Sequence, residues 1–248
     1  MAPLRRRDLL KGTALVLAGG SAVRAGIIAG SLPWQPGTGS VPQAHPDNAS
    51  DRWKFFTASE AAAVEAIADR LIPPDPSTPG GKDAGCAVFI DRQLAGPYGQ
   101  REGLYTAPPF EKGEKQQGSQ SALGPAELYR KGLGALDEYV HTAMNGHSFA
   151  TLDAAQRDEI LQGLESGKIA LGAGVAAQTF FEQLLQDVQQ GFFADPIYGG
   201  NRDMCAWKMI GFPGARYDYR DWVGRHNEPY PLPPVSIAGR PEWTPKSG

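Results

Sequence analysis

An all-α fold is predicted by three features of the sequence. Apolar residues recur at helical spacing in five segments, capping residues stand ahead of several of them, and no run of alternating apolar and polar residues suggests a sheet. The expected architecture is a single helical domain of about five main helices with long loops, an N-terminal signal segment and an extended proline-rich C-terminal arm. The expected divisions are 1–30 for the signal segment, 31–50 for a flexible linker, 51–226 for the helical domain and 227–248 for the arm.

The chain opens with "RRRDLLKG", in which Arg6 and Arg7 precede Asp8, Leu9, Leu10 and Lys11. This resembles the twin-arginine export motif. "TALVLAGGSAV" then supplies a short, glycine-rich apolar stretch, and Arg24 interrupts it before the roughly 18 apolar residues of a membrane span accumulate. Basic, apolar and spacer segments in that order read as an export signal for the twin-arginine translocation machinery, which carries folded cargo. A basic, membrane-anchoring N-terminus is the alternative reading. "SLPWQPGTGSVPQAHPDNAS" has little helix potential and reads as a tether.

The first helix of the domain lies in "FFTASEAAAVEAIADRLIPPD". Thr57 and Glu60 form a capping-box pattern, and Val64, Ile67, Ala68 and Leu71 define one buried face. Pro73 and Pro74 end it because neither can donate a backbone hydrogen bond. A second helix is expected to begin near Asp83 and to carry Cys86, Phe89, Ile90 and Leu94 on one side. Residues 97–124 form a long polar insertion without a helical period, of a length usually kept for function or for wrapping a partner. Pro125 opens a third helix with Tyr129, Leu133, Leu136, Val140 and Ala143 on its stripe. A fourth starts near Asp153, with Gln156 at the capping-box position, and buries Ile160, Leu161 and Leu164. A fifth runs from about Val175 to Gln190, with Ala177, Phe180, Phe181, Leu184 and Val188 inward and Gly191 just past its end. The tail "EPYPLPPVSIAGRPEWTPKSG" is too rich in proline for helix and suits an extended arm.

Composition narrows the chemistry. A net charge of −3 lacks the concentrated basic face that nucleic acid requires, so no nucleic-acid partner is expected. His45, His141, His147 and His226 are scattered, none at the i, i+4 spacing of a helical zinc pair, and no C-x-x-C-H occurs for covalent haem attachment. No metal, cofactor-binding or catalytic residue is therefore assigned to this chain. "GAGVAA", Gly172 to Ala177, matches a dinucleotide fingerprint in letters only, since a helix rather than a strand precedes it. Its simpler reading is a set of small residues that lets helices approach closely. Asp195, Asp203 and Asp218 offer carboxylates, but Arg202 and Arg216 nearby favour structural ion pairs.

The stretch "GFFADPIYGGNRDMCAWKMIGFPGARYDY", Gly191 to Tyr219, carries many rings and no regular hydrophobic period. Its glycines permit backbone angles closed to other residues, its prolines fix others, and its aromatic and arginine content matches the centre of a protein interface. Phe192, Phe193, Tyr198, Arg202, Trp207, Phe212, Arg216 and Tyr217 are the candidate partner-facing residues, against the alternative that the loop packs only on its own helices. The two cysteines, Cys86 and Cys205, permit a disulfide in an exported chain, one that would stabilise the fold by about 4–5 kcal/mol in the chain-entropy picture. Cys86 equally fits its helix as a buried free thiol.

"FFTASEAAAVEAIADRLIP", "FIDRQLAGPYG", "ELYRKGL" and the aromatic stretch together resemble the small subunit of gluconate 2-dehydrogenase, the subunit 3 family, from about Phe55 to Tyr219. The resemblance implies a periplasmic complex, associated with the cytoplasmic membrane, that oxidises sugars, sugar acids or alcohols. It implies FAD on a large partner resembling the glucose–methanol–choline oxidoreductases, and haem c on a multi-haem cytochrome subunit. The family's small subunit has no established catalytic residues, so the expected tasks are to stabilise the flavoprotein and carry it through export. Two other classes stay open: a self-sufficient periplasmic enzyme using Asp195 and Asp203, and a periplasmic binding or scaffold protein with no redox partner.

Overall fold

Six α-helices and four short 3-10 turns follow one another along residues 53–102, 108, 110, 122–216 and 218–239, the residues described in a computed structural model. They are α1 (Ala58–Leu71), α2 (Cys86–Ala95), α3 (Pro125–Ala143), α4 (Ala154–Glu165), α5 (Ala177–Phe193) and α6 (Cys205–Ile210). No strand forms among the described residues. The nearest to one are two isolated bridges, Gly214 with Val235 and Ser236 with Gly239. The export motif at Arg6, Arg7, Leu9, Leu10 and Lys11, the linker, most of the insertion, Tyr217 and residues 240–248 lie outside the described residues.

Local signals fixed the helix starts. In α1 the Thr57 hydroxyl accepts from Glu60 N while Glu60 accepts from Thr57 N, so both halves of the capping box form. Asp153 and Gln156 do the same for α4. Helix α2 departs from expectation. Asp83 and Ala84 lie in a turn, and Gly85 in the left-handed region delays the start to Cys86.

Helix α5 touches all five other helices. Its stripe of Ala177, Phe180, Phe181, Leu184 and Val188 is buried, as the spacing predicted, and Phe192 extends it. Two glycines admit the neighbours. A Cβ on Gly132 of α3 would stand 2.5 Å from the Phe180 ring, and one on Gly191 of α5 would stand 3.0 Å from Phe89 of α2. Gly191 was expected just past the helix end, yet it lies inside and the helix continues to Phe193. Close packing, not termination, is the reason for glycine there. The glycines of "GAGVAA" have the opposite explanation. Nothing lies within 4 Å of a Cβ at Gly172 or Gly174, and Gly174 has φ of +72°, so turn geometry rather than helix approach selects it.

Two carboxylates organise this body from inside. Asp91 of α2, fully buried, accepts the backbone N–H groups of Lys54, Phe55 and Phe56 at 2.7–2.9 Å and anchors the start of the domain. Arg130 of α3 reinforces the same segment, donating to the Phe55 carbonyl at 2.8 Å and lying 4.2 Å over the Phe55 ring. Asp187 of α5 accepts hydroxyls from Tyr129 at 2.9 Å and Tyr98 at 3.2 Å, and the Gln183 amide at 3.0 Å. Tyr98 belongs to the first turn of the insertion, so this knot ties the insertion to the core.

Burial raises the Asp187 carboxyl above its ordinary 3.8, and the three donors offset only part of that rise. The folded chain therefore holds this proton to higher pH than the unfolded chain does. Unfolding free energy should fall as pH climbs from the ordinary carboxylate range through the folded value, then level off. Asp187→Asn should flatten that slope in urea-midpoint measurements between about pH 4 and 7. Identical slopes for both chains would remove Asp187 as the linked group.

Candidate functional site

Where α5 ends, the chain makes a tight corner instead of an open loop. Pro196 cannot continue the helix, and Asp195 caps the 3-10 turn Pro196–Tyr198 by accepting Ile197 N at 3.0 Å. Gly199, with φ of +104°, closes that turn. The returning chain passes so near α5 that a Cβ on Gly200 would stand 2.0 Å from the Gly191 carbonyl oxygen. Only glycine fits.

Buried Asn201 then braces the corner with both ends of its amide. Its Nδ2 donates to the Ala194 carbonyl at 2.9 Å and its Oδ1 accepts Ala206 N at 2.9 Å. Asn201, Asp203 and Met204 all have positive φ, between 45° and 56°. Three such non-glycine residues in four positions cost energy, of order 1 kcal/mol or more each, which the surrounding contacts must offset. Helix α6 follows, only six residues long, and Gly211 at φ of +69° ends it. The sequence reading had no helix here, because six residues are too few to display a period.

Trp207 is the brace behind the corner. Its indole N–H donates to the Phe193 carbonyl at 2.8 Å, and its ring meets Phe212 edge-to-face at 5.1 Å. Phe193, Met209, Ile210 and Phe212 consequently point outward, at 44, 49, 57 and 43% exposure. Tyr198 stands outside on the preceding turn. The C-terminal arm extends the surface. Asp195, already capping, also accepts the Ser236 hydroxyl at 2.6 Å and Ile237 N at 2.8 Å, which leaves the Ile237 side chain exposed beside it. Arg216 donates to the Pro233 carbonyl at 2.6 Å and lies over the Tyr230 ring, so it ties the arm down.

The eight residues expected to face a partner therefore divide. Phe193, Tyr198 and Phe212 are exposed and Arg202 partly so. Phe192 and Trp207 are buried against the chain's own core, because Phe192 continues the α5 stripe and Trp207 turns inward from α6. Arg216 serves the arm, and Tyr217 is outside the described residues. Met209 and Ile210 escaped the sequence reading. Their signal was their adjacency after Trp207: once the indole turns inward, the next apolar residues of so short a helix have no core to enter.

Each of the three carboxylates has its own structural setting. Asp195 is buried with three donors in place, Asp203 is exposed on the strained turn, and hydrogen bonds from Arg220 hold the Asp218 carboxyl down at about 2. Among the described residues no three His, Cys, Asp or Glu side chains gather as a metal site, and no helix is long and apolar enough to cross a membrane. Cys86 is buried, Cys205 is half-buried, and both stand as free thiols.

Replacing Asp195 by Ala should release the arm, since Ser236 and Ile237 N would lose their acceptor together. The expected result is a loss of about 2–3 kcal/mol in unfolding free energy and rapid proteolysis between residues 226 and 239, with helical circular dichroism retained. An arm as resistant as in the unsubstituted chain would show that Asp195 does not hold it.

The family model described as gluconate 2-dehydrogenase subunit 3 matches residues 58–214, from the first residue of α1 to the glycine that closes the aromatic corner. No curated protein and no solved structure matches the chain.

Proposed function

The chain belongs to the gluconate 2-dehydrogenase subunit 3 family, and from that premise we propose that it is the non-catalytic small subunit of a periplasmic FAD-dependent dehydrogenase complex. It braces a flavoprotein large subunit resembling the glucose–methanol–choline oxidoreductases and carries it through the twin-arginine route. FAD in this proposal belongs to the large subunit and haem c to a multi-haem cytochrome subunit that associates the assembly with the membrane. No residue of this chain is assigned to hold either group.

One observation carries the reading: a rigid corner that exposes Phe193, Met209, Ile210 and Phe212 although its backbone is tied at every turn. A monomer gains nothing by bracing exposed apolar side chains with a buried tryptophan and a buried asparagine. An interface gains preorganisation, because little freedom remains to be lost on docking. Membership of a family of dehydrogenase subunits supports a partner subunit, and the exposed apolar side chains of the corner have the make-up of an interface centre. Export adds a requirement. A flavoprotein that folds around FAD in the cytoplasm and lacks its own signal crosses only while bound, so the contact must outlast transport. Interfaces of that stability bury about 800 Å² or more on each partner. The corner and the arm beside it form one continuous surface for such a contact.

Two measurements test the proposal. Co-expressed with the neighbouring large subunit, Met209→Lys with Ile210→Lys should leave this chain's own stability within about 0.5 kcal/mol but reduce recovery of the yellow partner at least tenfold. Recovery at the unsubstituted level would exclude the corner as the docking surface. Arg6→Lys with Arg7→Lys should hold flavoprotein activity in the cytoplasm, and normal periplasmic activity would end the escort role.

A further inference from the structure

The corner holds a second feature that the docking proposal does not use. Cys86 opens α2 and Cys205 opens α6, and the turns before these two helices are joined. Arg202 N donates to the Ala84 carbonyl at 3.0 Å, so the residue two before Cys86 is bonded to the residue three before Cys205. Gly199 lies against the next part of α2, where a Cβ would be 3.0 Å from Val88 Cγ1. Cys86 belongs to the main apolar core, and Cys205 packs against that same core from its edge. Two thiols distant in sequence thus lie along one seam, near enough for Cys205 to act electrostatically on the Cys86 thiol.

The geometry points to a redox pair: Cys86 and Cys205 close into an intrachain disulfide that locks the aromatic corner onto α2. The surroundings accept the change. The Cys205 thiol donates a long contact, 3.8 Å, to Asn201 Oδ1, and that oxygen keeps its stronger bond from Ala206 N when the thiol proton leaves. A covalent tie also suits the strained residues Asn201, Asp203 and Met204, which precede Cys205 and depend on neighbouring contacts to hold positive φ.

The reaction consumes a disulfide oxidant, small or protein-borne. Half-buried Cys205 loses its proton and attacks the oxidant, forming a mixed disulfide and releasing one thiol. Cys86 then loses its proton and attacks the Cys205 sulfur, releasing the second thiol. Two thiols of this chain are oxidised by two electrons, and one disulfide of the oxidant is reduced. Burial, with Cys205 beside it, pushes the Cys86 thiol up to about 12, so the closing step is slow at neutral pH and quickens as pH rises. Once closed, the bond is shielded on the Cys86 side.

The inference goes beyond the docking proposal and does not rest on it, so it is tested on the purified full chain alone. The reduced chain is incubated with oxidised glutathione at about pH 8, alkylated after denaturation and weighed. The expected result is no alkylated cysteine, a peptide linking Cys86 to Cys205 before reduction, and a melting temperature at least about 5 °C above that of the reduced chain. Cys205→Ser and Cys86→Ala should each abolish that rise. Two alkylated thiols, a glutathione adduct stable on Cys205, or a Cys205 bond between two copies would each overturn it.

Discussion

The burial of α5 is the constraint on which the rest of the structure depends. This helix meets every other helix, so its apolar stripe sets the distance and direction of each neighbour. Close contact is possible only because the facing positions lack side chains. Gly132 admits the Phe180 ring, Gly191 admits Phe89, and Gly200 lets the returning chain cross the helix end. Larger residues there would push the elements apart and expose the stripe. The aromatic corner inherits its position from this packing, since it begins where α5 stops.

Around that apolar axis, buried carboxylates act as points of attachment. Asp91 gathers three consecutive amides at the start of the domain, Asp187 ties the insertion to the core, and Asp195 holds the arm. Each lies buried with donors filling its oxygens, which is the condition under which a carboxylate is tolerated inside a protein. In the sequence Asp195 offered itself as a carboxylate for chemistry. In the fold, Asp195 is buried and accepts from an amide of its own turn and from two donors of the arm, which gives it a structural role.

Rigidity and exposure coincide at the corner in a way that ordinary loops avoid. Loops that are free to move usually carry polar side chains, whereas this one immobilises its backbone and turns apolar side chains outward. Membership of a subunit family explains why such an arrangement would persist. The disulfide proposed beneath the same corner would add a covalent means of holding its shape.

Helices α1, α4 and the stripe of α5 were legible in the sequence because capping boxes and 3.6-residue spacing are local properties, set by residues three or four apart. The resemblance to the subunit 3 family was legible for the same reason, being carried by contiguous motifs. Other features depended on partners far along the chain. Gly191 could not be recognised as a packing glycine until Phe89 lay against it, nor Trp207 as a buried brace until the end of α5 received it. Asp195 gave no sign of the Ser236 that fills its oxygen. Which rings face outward is decided by what the core has room for, and that is known only when every helix is in place.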